Sequence, residues 1–137
     1  MPGYDATMID GLISLACNHP TADAADRLER AVRSRGMRVF ARVDHSAGAA
    51  EVGLRLAPTI VVMFGDPRAG TLLMQSVQEL GLELPLKLLC WTDADGASKL
   101  GYTDPRWLAA RFGADASSPV IVKMHALLAE VAGEVAA

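Results

Sequence analysis

The feature that most constrains this chain is the run Thr59-Ile60-Val61-Val62-Met63-Phe64, followed at once by Gly65-Asp66-Pro67. The run is almost wholly apolar and rich in β-branched residues, which reads as an inner strand covered on both sides rather than an exposed edge. The next residues leave little choice. Asp66 is placed to cap a helix, Pro67 to occupy its first position, and Leu72, Leu73, Met74 and Val77 to form its inner face.

The rest of the chain arranges itself around that unit. Gly11 to Asn18 reads as a first strand ending before His19-Pro20. Thr21 is the expected cap of a helix with Ala25, Leu28, Ala31 and Val32 inward, stopped by Gly36. From Met37 the period becomes two, with Met37, Val39, Ala41, Val43 and His45 on one side and Arg38, Phe40, Arg42 and Asp44 on the other. A short helix over Ala47 to Leu56 comes next, with Ser46 or Asp44 as its cap. Leu86 to Thr92 and Ala97 to Thr103 form a hairpin across Asp93-Ala94-Asp95-Gly96. Asp104-Pro105, and Ser117 or Ser118 with Pro119, open two further helices. The order is β-α-β-α-β-α-β-β-α-α. The hairpin near the end rules out a wholly parallel sheet. The expected fold is therefore α+β: a two-layer sandwich with a mostly antiparallel or mixed sheet of about five strands and helices on one face.

Composition narrows the function. At 137 residues one domain, 1–137, is expected, with a core that needs no staple. The charge balance, 13 basic against 16 acidic residues for a net of −3, supplies no basic groove, so no nucleic-acid partner is expected. No apolar run approaches the roughly 20 residues of a bilayer-crossing helix. The opening MPGYDATMIDG lacks the basic start of a secretory leader, so a cytoplasmic location without a membrane partner is expected. Cys17 and Cys90 form no paired or metal-binding motif with the three histidines, so reduced thiols, no metal and no cofactor are expected. His19 and His125 read as loop and helix-surface residues.

Three segments, Phe40 to Thr59 (FARVDHSAGAAEVGLRLAPT), Phe64 to Gln75 (FGDPRAGTLLMQ) and Leu82 to Gly96 (LELPLKLLCWTDADG), resemble the family known as domain of unknown function 302. The pattern of strand, Asp-His-Ser, short helix, Pro-Thr, buried strand, Phe-Gly-Asn-Pro-x-x-Gly-Thr and Leu-Pro before an Asp-x-x-Gly hairpin recurs in order over nearly the whole chain. Asp66 stands where the family commonly has Asn, which adds negative charge at that turn. The resemblance implies a compact α+β domain, often dimeric, with no established activity and no catalytic residues to carry over.

Two places have residues suited to chemistry. The Gly65–Thr71 turn combines backbone donors, a helix start, the Arg68 guanidinium and the Thr71 hydroxyl, all parts of an anion site, but it lacks the spacing of a nucleotide-triphosphate loop. His45, at a strand end between Asp44 and Ser46, is the candidate general acid/base. If the two share a cavity, His45, Asp66, Arg68, Gly70 and Thr71 would bind a small anionic metabolite. The alternative is an enzyme in which His45 moves a proton while Arg68 holds the anion. A third reading is an interaction module, with Phe40, Leu89 and Trp91 on the helix-free sheet face, rimmed by Arg38, Arg42, Lys87 and Lys99, forming a homodimer interface.

Overall fold

The computed structural model describes residues 9–137; most of the opening MPGYDATMIDG lies in residues 1–8, outside them. Five strands form one antiparallel sheet: β1 (Leu12–Ala16), β2 (Arg38–Asp44), β3 (Thr59–Gly65), β4 (Leu86–Thr92) and β5 (Ser98–Thr103), in the spatial order β1-β5-β4-β3-β2. The helices are α1 (Thr21–Ser34), α2 (His45–Glu51), α3 (Pro67–Ser76), α4 (Pro105–Arg111) and α5 (Pro119–Ala136), with a 3-10 turn over Gln78–Leu82. This is an α+β two-layer architecture. Helices α1 and α5 pack on one face of the sheet and on each other, while the opposite face has, among the described residues, no helix across it.

The core lies between these layers. Ile60, Val62 and Phe64 of β3, Leu86, Leu88 and Cys90 of β4, and Leu100 and Tyr102 of β5 meet Leu28 and Val32 of α1 and Leu128, Val131 and Val135 of α5. Each such side chain contributes roughly 1.5–3 kcal/mol when fully withdrawn from water. Residues of β3 between these are only half-buried, so the strand is inner but covered on one side, not two as its uniform apolarity led us to expect.

Helix starts follow local chemistry. Asp66, Asp104 and Ser118 each accept a backbone N–H of the turn they cap, and each precedes a proline. Thr21 departs from expectation: it is buried as the first residue of α1, and its hydroxyl shares a 2.8 Å hydrogen bond with the Thr92 hydroxyl instead of capping. Helix α2 is shorter than expected, and Asp44, not Ser46, is its cap; Ser46 donates its hydroxyl to the same carboxylate. At the far end of α5, Arg27 of α1 donates to the Glu134 and Val135 carbonyls, satisfying acceptors that the last turn leaves open.

Strand β2 breaks the expected alternation. Its pairing with β3 jumps from Val39↔Phe64 to Ala41↔Met63, so Phe40 is an extra residue in a β-bulge. Beyond it the faces exchange. Val39 and Arg42 lie on the helix side, and Arg42 meets Asp26 at 2.6 Å and Glu29 at 2.9 Å on α1, whereas strict alternation put Arg42 with Phe40 on the open face.

Candidate functional site

The register of β2 with β3 decides how the candidate residues relate. Arg38 pairs with Gly65, and Asp44 with Ile60. At about 3.3 Å per residue, the His45 end of β2 is therefore roughly 20 Å from the Gly65–Thr71 turn. Parallel strands would have brought both C-terminal ends to one rim. Antiparallel pairing sends them to opposite ends, so His45 does not join Asp66, Arg68, Gly70 and Thr71 in one site, and a single-site mechanism using His45 and Arg68 has no geometric basis. His45 is exposed as the first residue of α2. Its neighbour Asp44 is committed to the cap: the Ser46 hydroxyl and then the Ala47 N–H hold its carboxyl below the ordinary range.

A cavity of about 400 Å³ does open beside the start of α3. Its wall takes Gly65, Asp66, Gly70, Thr71 and Met74 from the strand-turn-helix unit, Met37, Arg38 and Phe40 from the approach to β2 and its bulge, Leu84 and Pro85 from the connector, and Met124 and Leu127 from α5. The lining is dominated by apolar side chains. Gly65 is buried, yet a Cβ built on it would meet nothing within 4 Å, which marks empty space next to the backbone. The bulge brings Phe40 here rather than to Leu89 and Trp91, and the Arg38 guanidinium sits 5.7 Å from the Phe40 ring centroid.

The polar groups of this turn are largely spent. The Asp66 carboxylate accepts the Arg68 N–H at 3.0 Å, the Asp66 carbonyl accepts the Gly70 N–H at 3.1 Å, and the Thr71 hydroxyl donates to the Pro67 carbonyl at 2.7 Å. A carboxylate of the chain itself thus occupies the place where a bound anion would profit from the helix start. Arg68 is exposed and forms no part of the cavity wall. Among the described residues Arg38 makes no ion pair, which leaves it the available cation of this cavity.

The architecture recurs in known proteins. A family model described as domain of unknown function DUF302 matches residues 13–133. The chain belongs to the DUF302 family. A crystal structure of an uncharacterized conserved DUF302 protein from Bacillus stearothermophilus superimposes with a TM-score of 0.82, at 18% identity, over 92% of this chain and 98% of that one. Curated relatives include the fluoride-specific ion channel FluC 1 of Brucella suis biovar 1 (strain 1330), 44% identical over 119 residues that cover 86% of this chain and 47% of that protein. The fluoride-specific ion channel FluC 2 of Brucella melitensis biotype 1 matches at the same identity, with 44% of its length covered. This DUF302 chain therefore spans just under half the length of those curated relatives. Among its described residues no helix is long and apolar enough to cross a membrane.

The open sheet face forms a second, larger concavity of about 700 Å³, with Val61, Leu89, Trp91 and Gly101 as its floor and Lys87 and Lys99 among its walls. Lys87 donates to the Glu83 carbonyl at 2.7 Å and the Pro85 carbonyl at 3.1 Å, and burial lowers its pKa. Cys90 faces the core, where burial first, and Cys17 second, push its thiol up to about 12. That argues against a nucleophilic role. His125 is half-buried rather than a helix-surface residue, with Nδ1 3.6 Å from Asp104 Oδ1.

Met37, Arg38, Phe40, Leu84 and Met124 are cavity residues that the sequence does not announce. They come from distant parts of the chain, and the one local signal, Phe40 on a polar side of a strand beside Arg38, reads equally well as an exposed sheet residue.

Proposed function

We propose that this chain is a ligand-binding domain whose site is the cavity beside the α3 start, and whose ligand is a small molecule with an apolar body and one anionic group held at Arg38. The observation that carries the reading is a cavity of about 400 Å³ with apolar walls and an arginine that makes no ion pair among the described residues, within the size range of small-molecule sites. No side chain at that wall is arranged as a nucleophile with a neighbouring base, which favours binding over catalysis. His45 has no part in it.

The longer relatives named as fluoride channels bear on this reading in one way. Conduction across a bilayer by a helical protein needs spans of about 20 apolar residues, and the described part of this chain contains none. We infer that the shared segment acts in those proteins as an appended domain and not as the conducting part. Fluoride itself, small and strongly hydrated, suits the apolar cavity poorly, because the Arg68 and Gly70 N–H groups at the turn are already taken and the remaining wall is mostly apolar.

Titration with anilinonaphthalene sulfonate, an apolar anionic dye, tests the site. Saturable binding of one dye per chain is expected. Arg38→Met should weaken it by about tenfold or more, as a charge-assisted contact is worth about 1.5–3 kcal/mol. Gly65→Leu, filling the void, should abolish it, while His45→Ala and added fluoride should leave it unchanged. Binding unaffected by both Arg38→Met and Gly65→Leu, in variants that melt as the parent does, would remove the proposal.

A further inference from the structure

The two outer strands of the sheet are built differently. Strand β2 carries Arg38, Arg42 and Asp44 and is bulged at Phe40, devices that discourage an exposed edge from pairing with another chain. Strand β1, Leu-Ile-Ser-Leu-Ala, has none of them: it is uncharged and runs in unbroken register with β5.

Its hydrogen bonds show which backbone groups remain. The Cys17 N–H donates to the Ser98 carbonyl at 2.9 Å, and the Gly11 carbonyl accepts from the Asp104 N–H at 2.7 Å, so odd-numbered residues direct their backbone at the β5 side and even-numbered residues outward. At the two ends the outward donors are used, by Leu12 N–H to the Ile9 carbonyl at 3.1 Å and by Asn18 N–H to the Ala136 carbonyl at 2.9 Å. Between them the Leu12 carbonyl and both backbone groups of Ser14 and of Ala16 face outward, with no partner strand among the described residues.

We propose that this edge receives β1 of a second copy of the chain, antiparallel about a twofold axis at Ser14, joining the two sheets into one. The choice of occupant rests on self-complementarity. About a twofold at Ser14 these groups meet complementary ones in four hydrogen bonds, and only the Ala16 carbonyl is left to solvent, because the Leu12 N–H opposite it is already given to Ile9. The Ser14 N–H meets the carbonyl of Ser14 of the partner subunit and the reverse, and the Ala16 N–H meets the carbonyl of the partner's Leu12. Side chains agree with that register: Leu12 falls opposite the small Ala16 on one face, Ile13 opposite Leu15 on the other, and no like charges meet. The inference does not depend on the cavity beside α3. It also replaces Phe40, Leu89 and Trp91 as the expected pairing surface, since Phe40 lines a different cavity from the other two.

Sedimentation equilibrium over a roughly hundredfold concentration range gives the test, because an association this small in area is concentration-dependent. A monomer–dimer equilibrium is expected. Ser14→Pro removes an outward N–H without breaking the β1–β5 ladder, and Ser14→Lys places a charge on the edge; each should weaken the dimer by about tenfold or more. Amide exchange at Ser14 and Ala16 should slow as dimer forms, while Trp91→Asp leaves the equilibrium in place. A chain that stays monomeric throughout, or a dimer that survives both Ser14 variants and is lost in Trp91→Asp, would overturn the proposal.

Discussion

The indole of Trp91 lies across Gly101 of the neighbouring strand: a Cβ added at Gly101 would stand 3.0 Å from Cζ3 and 3.1 Å from Cη2 of the ring, with Leu12 Cδ1 at 3.4 Å. Glycine at this buried position gives the ring its seat on the open face. Gly101→Ala should destabilise the fold by about 1 kcal/mol and Gly101→Val by up to about 3 kcal/mol, as overpacking does. Urea unfolding of the two variants checks this, and equal stability for all three proteins would show that the ring moves aside freely.

Arg42 bridges β2 to α1 through Asp26 and Glu29, with its own side chain 29% exposed. The partly solvated geometry limits its value to about 1 kcal/mol or less. A double-mutant cycle of Arg42→Met with Glu29→Gln should give a coupling of that size that shrinks as salt is added.

Asp104 accepts the Arg106 guanidinium at 2.8 Å and the Arg106 N–H at 2.9 Å, contacts that hold its carboxyl below the ordinary 3.8 against partial burial. A carboxyl with a lower pKa folded than unfolded stabilises the fold above its unfolded value and loses that contribution as pH falls through its folded value. Stability should therefore decline on acidification below about pH 4. Asp104→Asn, which keeps a capping side chain, should flatten part of that decline in melts recorded across the acid range.

The Cys90 thiol, pushed up to about 12, behaves in the opposite sense. Once pH exceeds about 9, the unfolded thiol gives up a proton that the folded one keeps, so unfolding becomes easier as pH rises. At pH near 8, an aromatic disulfide reagent should modify Cys90 only when the protein is unfolded; rapid modification of Cys90 in the native protein would contradict its burial.

Local chemistry made much of the architecture legible. Asp66-Pro67, Asp104-Pro105 and Ser118-Pro119 each declare a helix start within a few residues, and Asp93 to Gly96 declares the hairpin, because caps and tight turns are decided by neighbours in the chain. Strand direction is decided elsewhere. Nothing near Asp44 or Thr59 states that β2 and β3 run antiparallel, and that relation alone separates His45 from Asp66. Thr21 departs from its local signal for a similar reason: a residue suited to capping is drawn into the core by Thr92, far along the sequence. The cavity beside α3 is half visible in the sequence, through its turn, and half hidden, in walls supplied by Met37, Phe40, Leu84 and Met124.

The bulge makes Phe40 a spare residue, outside the one-to-one count that the ladder requires. Removing it would let Val39 run straight on to Ala41 with the partners of both unchanged, so Arg42 would still stand opposite Val62, on the side from which it reaches Asp26 and Glu29. A one-codon deletion, ordinarily ruinous inside a strand, should therefore yield a folded protein here, shorn mainly of one aromatic wall.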